Sequence, residues 1–296
     1  MVNNLKKILK IAMPLFIIAM IITTTNVRAD FSVTVGQTNV YDVVESDWTL
    51  VVGANNGGGT GFVQESVGYD LADNITIEVT AETTTSVDYD FTCDIDTYGY
   101  SSNGLGNIFY MVFSLMLPLM MPLMVSGTWV QAEVDAGPML WGEFFIDSVM
   151  TEAFYEFANN QTALDEMTND PDNSEITFKK FTGAFTNATD IAVFDWACDF
   201  DIKNTTTTTD WGGKYRWKLA FDQTTGWVKG WRIFMDYAGT FEGTVLEIAW
   251  NQLVQQQGYT LGNFAIATGL FPGFEWFLAL PALGLLAIPI IIKRRK

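Results

Sequence analysis

An apolar run of eighteen residues in the middle of an acidic chain is the strongest constraint on the fold. It extends from Ile108 to Val125, reads IFYMVFSLMLPLMMPLMV and contains no charged residue. A run of this length must either cross a bilayer or be covered by other parts of the chain, because exposing it to water is strongly unfavourable. Any fold of this sequence therefore has to place the run either in a bilayer or in the interior of the protein.

Three observations argue against a membrane crossing by this run. Pro118 and Pro122 interrupt helical hydrogen bonding in its second half. No Lys or Arg flanks the run. A crossing here would also place the basic C-terminal residues Lys293 to Lys296 outside the cell, whereas positive residues normally stay in the cytoplasm. We therefore expect a buried hairpin or loop in the domain core. An apolar lid over a ligand cavity and a wedge in the outer leaflet are the alternatives.

The N-terminus has the three parts of a secretory signal. A basic stretch ending at Lys10 precedes the apolar run Ile11 to Ile22, and Val27-Arg28-Ala29 has the residue sizes of a cleavage site. We predict a signal peptide over residues 1–29, with an uncleaved anchor as the alternative. In both cases the chain that follows is exported.

The C-terminus carries a second membrane signal, over residues 272–296. Pro272-Gly273-Phe274 is followed by an apolar run from Trp276 to Ile292 and by the basic end Lys293-Arg294-Arg295-Lys296. Seventeen residues reach the lower limit of a transmembrane helix, and four cations favour a cytoplasmic end. We predict a single span that holds the exported domain at the outer side of the cytoplasmic membrane.

The order of these three parts resembles the sorting signal of archaeal cell-surface proteins of the PGF type. In that family a membrane protease-transpeptidase, an archaeosortase, recognises the tail, and the mature protein becomes lipid-anchored. The resemblance implies that Pro272, Gly273 and Phe274 form the sorting motif, with an archaeosortase and surface-layer proteins as partners. The layout also resembles the choice-of-anchor class, which has an exported β-rich region. An ordinary single-span anchor is the alternative.

Two acidic strands of the exported domain carry the only two cysteines. Val87 to Asp96 and Phe194 to Ile202 both alternate apolar and polar residues, as half-buried strands do. Cys93 and Cys198 each fall on the apolar side. Outside the cell this arrangement predicts a Cys93–Cys198 disulfide, whereas a metal-binding pair would need further ligands.

The remaining pattern predicts a mainly β (β-rich α+β) domain over residues 30–271. Its antiparallel sheets would form a sandwich or half-barrel around one packed helix within Gly142 to Ala158. The Gly-rich segment Asn55 to Gly61 is expected to be a turn. A polar boundary near residues 159–178 divides the domain into two lobes, and an internal duplication is a further hypothesis. The other predicted strands are Asn39–Val44, Trp48–Gly53, Asn74–Val79, Tyr215–Phe221, Trp227–Tyr237 and Thr244–Leu253.

The charge is strongly acidic, with 33 acidic against 8 basic residues between Asp30 and Phe271. Such a charge repels itself, so we expect Arg216, Lys218 and Arg232 or bound cations to offset part of it. The balance argues against nucleic-acid binding. No cofactor is predicted. A Ca²⁺ site is the alternative, because carboxylates are its preferred ligands; the candidate residues are Asp94, Asp96, Asp170, Asp172 and Glu175.

Four sequons predict N-glycosylation of the exported chain, at Asn74, Asn160, Asn187 and Asn204.

The chain contains no histidine, which excludes Ser-His-Asp and Cys-His nucleophile systems and HExxH zinc sites. We therefore predict a non-enzymatic, anchored structural or interaction protein of an archaeal cell surface. An anchored carrier of a lipid or other hydrophobic ligand is one alternative, and a carbohydrate-binding or hydrolytic domain is another.

Overall fold

The computed structural model describes residues 31–83, 85–125, 131–135, 137–169, 174–187 and 189–266. The predicted signal peptide, PGF motif and C-terminal span lie outside these residues. Seven strands come first: β1 (Thr38–Val52), β2 (Asn55–Thr60), β3 (Phe62–Gln64), β4 (Val67–Tyr69), β5 (Ile75–Glu82), β6 (Ser86–Cys93) and β7 (Asp96–Asn103). The helices follow: α1 (Gly104–Val125), α2 (Gln131–Asp135), α3 (Val149–Asn159) and α4 (Gln161–Thr168). The last strands are β8 (Ile176–Thr186), β9 (Ile191–Asn204), β10 (Thr209–Asp222), β11 (Val228–Phe241) and β12 (Thr244–Gln256).

One antiparallel sheet contains most of the strands in the described part of the chain. Its strand order is β7-β6-β5-β1-β12-β11-β10-β9-β8, and β2 pairs with β1 at the side. The mainly β, antiparallel prediction is confirmed. The polar boundary near residues 159–178 does not separate two sheets, because β1 pairs directly with β12 and joins the strands before the helices to those after them.

The inner face of this sheet, defined as the face that packs on α1 and α3, is rich in aromatic side chains. Alternate residues of β9, β10 and β11 point to it, as the sequence pattern predicts. Trp196, Trp217 and Trp231 are each fully buried there. Burial of such large side chains supplies a major part of the stability of a domain.

The apolar run forms helix α1 in the core, and the expectation of a hairpin or loop is wrong. Pro118 and Pro122 both lie inside the helix. A proline has no N–H to donate to the carbonyl four residues earlier, so each of them removes one hydrogen bond from the helix. Trp196 Nε1 donates to the carbonyl of Leu115 at 3.1 Å, and the rings of Tyr110 and Trp217 meet edge to face at 5.6 Å.

Helix α1 covers the sheet with one side and exposes part of the other. It is the one helix in the described part of the chain that is long and apolar enough to cross a bilayer, yet 56% of that window is buried. Leu115, Met116 and Leu119 are fully buried, whereas Leu105, Phe109 and Phe113 are 40 to 55% exposed. The sheet therefore provides most of the cover that the run requires.

The helix predicted within Gly142 to Ala158 is shorter, because its first residues are extended. Phe145 pairs with Trp227 in an isolated antiparallel bridge, and α3 begins only at Val149. A Cβ built on Gly142 would lie 2.3 Å from the Trp231 ring, so only glycine lets the backbone pass there. The spacing of the phenylalanines favours a helix, but contact with the sheet holds the first residues of this segment in an extended conformation.

The Gly-rich segment predicted as a turn is a strand. Its residues form β2, which pairs with β1 from Val52↔Asn55 to Asp47↔Thr60. The turn itself lies at Gly53, whose φ is +62°. Glycine is unfavourable in strands, and the hydrogen bonds of this pairing outweigh that preference.

Ion pairs on the outer face offset part of the acidic charge, as predicted. Arg216 binds both oxygens of the Asp199 carboxylate, and Lys218 Nζ lies 3.3 Å from Asp195 Oδ2. Arg232 pairs with Glu45 at 2.8 Å. The segment that follows β12 covers part of this face, where the amide of Ala265 donates to Asp195 Oδ2 at 2.6 Å.

The burial of α1 predicts how the stability of the protein responds to substitution. Leu115→Ala should lower the free energy of unfolding by about 2–5 kcal/mol, because Leu115 is fully buried and a cavity would remain. Phe113→Ala, two residues away and 40% exposed, is the matched control and should cost less than about 1 kcal/mol. Urea unfolding of the full chain in detergent, followed by tryptophan fluorescence, measures both. Equal effects would contradict the assigned orientation of α1.

Candidate functional site

An apolar cavity of about 260 Å³ lies beside the second half of α1. We call it the Trp cavity. Its walls come from α1, α2, the segment 137–141 and the strands β1 and β12. The lining residues are Trp48, Thr49, Leu50, Leu117, Met121, Val134, Gly137, Pro138, Met139, Trp141, Ile248, Ala249 and Trp250.

Strand pairing builds the first wall of the Trp cavity. In the antiparallel register of β1 and β12, Trp48 lies opposite Trp250 and Leu50 lies opposite Ile248. Side chains two residues apart on a strand share a face. The four side chains therefore form two neighbouring cross-strand pairs, which is the arrangement in which side chains in a sheet contact one another most closely.

Hydrogen bonds hold the opposite wall in place. Trp141 Nε1 donates to Ser114 Oγ on α1 at 2.9 Å, and the Trp141 amide donates to Gln252 Oε1 at 3.0 Å. Gln252 is fully buried. The rings of Trp141 and Trp250 meet edge to face with centroids 6.4 Å apart. The cavity is therefore lined by side chains that are positioned before any ligand arrives.

A buried polar cluster fixes the extended segment that leads from Trp141 to α3. Asn107 on α1 donates to the carbonyl of Phe145 at 2.9 Å and accepts from the amide of Asp147 at 2.7 Å. Ser102 on β7 donates to the same carbonyl at 3.0 Å. Nearby, burial raises the pKa of Glu143 from its ordinary 4.5 to about 7.

The predicted disulfide is absent from the structure. Cys93 and Cys198 are both free and fully buried. They lie on β6 and β9, and five strands separate these two in the sheet. Neighbouring strands are about 4.8 Å apart, and a disulfide requires Cα atoms within about 7 Å. Burial raises the pKa of Cys93 to about 12 and holds the pKa of Cys198 well above its usual value, so both remain thiols.

The four sequons differ in their surroundings. Asn74, Asn160 and Asn187 are exposed. Asn204 is half-buried and its side chain is engaged. Its Nδ2 donates to Glu175 Oε2 at 2.8 Å, and its Oδ1 accepts from the amides of residues 206 and 207.

The carboxylates predicted as a Ca²⁺ site do not form a cluster in the described residues, where no group of three acidic or sulfur ligands is placed to hold a metal ion. Asp94 lies in the turn between β6 and β7, and Asp96 accepts from Tyr69 Oη at 3.0 Å. Glu175 is bound to Asn204. Asp170 and Asp172 lie outside the described residues.

The Trp cavity is a site that the sequence analysis did not assign. Trp48 and Trp250 lie in two of the predicted strands, Trp48–Gly53 and Thr244–Leu253, and nothing in either strand by itself marks a site. The available signal was that Trp48-Thr49-Leu50 and Ile248-Ala249-Trp250 each place a tryptophan two positions from a branched aliphatic residue. Their pairing across about 200 residues of sequence becomes visible only in the sheet.

The raised pKa of Glu143 predicts a pH dependence of stability. The folded protein keeps this proton to a higher pH than the unfolded chain, so its contribution to stability falls as the pH rises from about 4.5 to about 7. Glu143→Gln should remove this loss. The free energy of unfolding of the variant minus that of the parent should therefore be larger at pH 8 than at pH 4. Urea midpoints at both pH values test this, with exposed Glu247→Gln as the control; a constant difference between variant and parent would contradict it.

Sequence comparison assigns the chain to no known family. No protein-family model matches the chain, and no curated protein matches it in sequence.

Proposed function

We propose that this protein is an exported, membrane-anchored, N-glycosylated interaction protein of an archaeal cell surface, and that its domain binds an apolar group. The single observation that carries the binding proposal is the Trp cavity. The cavity is apolar and bordered by three tryptophans and two methionines. Met139 at its edge is 57% exposed, so the site is accessible from solvent.

The size of the cavity defines the ligand. Engineered apolar cavities of about 150 Å³ admit benzene, and drug-sized ligands occupy about 300–1,000 Å³. At about 260 Å³ the Trp cavity suits a branched or cyclic apolar group, or one segment of an alkyl chain. Met121 and Met139 are flexible enough to adapt to such a group.

The position of helix α1 favours the binding of one apolar group over a carrier that encloses a whole lipid. Its buried side occupies the inner face of the sheet, where a carrier would need space for a long chain. The methionine-rich segment is part of the core and forms one wall of the cavity through Met121. The proposed ligand therefore enters with one apolar part.

The ends of the chain support the cellular part of the proposal. The secretory signal and the PGF tail with its basic end are features of the sequence. Ile266, the last described residue, comes six residues before Pro272, and the segment before it packs on the sheet through Leu261. A tail that begins so soon after the fold would hold the domain close to the membrane.

The carbohydrate-binding or hydrolytic alternative has less support. Binding of a polysaccharide requires aromatic rings that face solvent, whereas Trp196, Trp211, Trp217, Trp227 and Trp231 are fully buried. The carboxylates of β6 and β9 alternate with the core residues, as solvated or ion-paired faces do. We therefore keep the interaction protein as the proposal, with no catalytic residue assigned.

Binding in the Trp cavity can be tested with a small fluorinated alcohol. The full chain in detergent should bind 6-fluorohexan-1-ol saturably in ¹⁹F NMR titrations, above the partition measured with empty micelles. Leu50→Trp should weaken this binding at least tenfold, because half-buried Leu50 lines the cavity and a larger ring would fill it.

Val245→Trp is the matched control for this test. Val245 lies on β12, is 54% exposed and is not part of the cavity, so the same ring added there should leave binding unchanged. Circular dichroism and the urea midpoint establish that both variants fold. A folded parent without saturable binding, or a folded Leu50→Trp that binds as the parent does, would refute the proposal.

The glycosylation proposal makes a separate prediction about site occupancy. Asn74, Asn160 and Asn187 should carry glycans more fully than Asn204, because a glycan on Asn204 Nδ2 would disturb its hydrogen bond to Glu175. Glycopeptide mass spectrometry of the native protein measures the four occupancies. Modification of Asn187 would also establish that this part of the chain is outside the cell. Unmodified asparagines at all four positions would refute N-glycosylation.

A further inference from the structure

A second, polar recess adjoins the Trp cavity, and we call it the Asp groove. Its volume is about 380 Å³. Glycines of β2 form one side, and Asp70, Asp73 and Asp135 supply three carboxylates. Trp48 and Gly137 line both the Asp groove and the Trp cavity, so the two recesses meet at the Trp48 ring.

Glycines keep the edge of the Trp48 ring open at this meeting point. A Cβ built on Gly137 would lie 3.3 Å from Trp48 Nε1, and one built on Gly59 would lie 3.7 Å from it. Gly137 has a φ of +84°, which other residues rarely adopt. A molecule could therefore contact the indole edge with one part while another part lies in the Trp cavity.

Two indole donors at this site lack acceptors. Within the described residues, the half-buried Trp48 makes no hydrogen bond through Nε1, and Trp250 Nε1 is buried without an acceptor. A buried donor without a partner is costly. Of the two, Trp48 borders both recesses, so its N–H is the donor that a ligand in the groove can reach. Both tryptophans line the Trp cavity.

The Asp groove offers acceptors and a negative potential. Asp73 and Asp135 each accept one hydrogen bond, from the Asp70 amide at 2.8 Å and from Gln131 Nε2 at 2.7 Å, and each carboxylate has further lone pairs. No Lys or Arg is among the residues that line the groove. An anionic group placed there would be repelled by three carboxylates.

We propose that the two recesses form one site for an amphiphile with an apolar tail and an uncharged head that carries several hydroxyl groups. This inference rests on the proposed binding of an apolar group in the Trp cavity. A hydroxyl can accept from Trp48 Nε1 and donate to the carboxylates, so it satisfies both kinds of group. An ammonium head can only donate, and a phosphate head would meet the carboxylates as a like charge.

Three hexyl compounds test the head preference. Hexyl β-glucoside, hexylamine and hexyl phosphate have the same tail and different heads. Each is titrated as a competitor of 6-fluorohexan-1-ol bound to the full chain, in the same ¹⁹F NMR assay. The glucoside should bind at least tenfold more tightly than hexyl phosphate and more tightly than hexylamine. Equal affinities, or the tightest binding by the amine or the phosphate, would refute the inference about the head. Saturable binding of fluorohexanol in the same experiment would still support the proposed function. Absence of fluorohexanol binding would refute both.

Variants of the Asp groove separate the head from the tail. Gly59→Leu should weaken the glucoside about tenfold and leave fluorohexanol bound, because its side chain would occupy the groove beside Trp48. Gly262→Leu, at a position where a Cβ would meet nothing within 4 Å, is the matched control. Asp70→Asn should improve phosphate binding by reducing the repulsion, whereas Asp88→Asn on β6 should not. A Gly59→Leu variant that binds both probes as the parent does would overturn the assignment of the head to the groove.

Discussion

The pairing of β1 with β12 is the contact on which the rest of the structure depends. It joins the first long strand to the last one, from Tyr41↔Gln256 to Val52↔Leu246, with a bulge after Val43. Before the helices, β2, β5, β6 and β7 extend the sheet on one side of this pair, and β3 and β4 form a separate two-stranded sheet. The strands β8 to β11, after the helices, extend it on the other side. The closure of so long a loop is entropically unfavourable, and the inner face that it creates is large enough to cover helix α1.

The same pairing produces both the core and the site. Most of the inner face is filled by aromatic rings and by α1, so the interior needs no ligand to exclude water. At Trp48 and Trp250 the filling is incomplete, and the polar atoms of Ser114 and Gln252 fix the orientation of Trp141 around the remaining space. Buried polar groups with definite partners hold a cavity in one shape, which apolar contacts alone do less well.

The alternation of apolar and polar residues predicted the strands well because one face of the sheet is buried and the other is largely polar. Val87, Tyr89, Phe91 and Cys93 point inward as expected. The pattern failed where a tertiary contact outweighed a local preference. The prolines of α1 predict an interrupted helix, yet both lie inside a helix that packs on the sheet. The glycines of β2 predict a turn, yet they pair with β1.

The cysteines illustrate a different limit of sequence reasoning. Periodicity correctly placed Cys93 and Cys198 on the buried face, but it carries no information on which strands are neighbours. The prediction of a disulfide assumed proximity, and the order of the sheet separates the two residues. The candidate site has the same dependence, since the triplets around Trp48 and Trp250 are each ordinary strand segments when considered alone.

By itself, the sequence determined that the chain has apolar ends and an apolar centre, that its strands alternate, and that it lacks histidine chemistry, because these properties depend on residue type and local spacing. Only the tertiary structure decided that the central run is a core helix, that the thiols stay apart, and that three tryptophans surround a cavity beside an acidic groove. The physical reason is that strand order is selected by the total burial of apolar surface, to which residues distant in sequence contribute together.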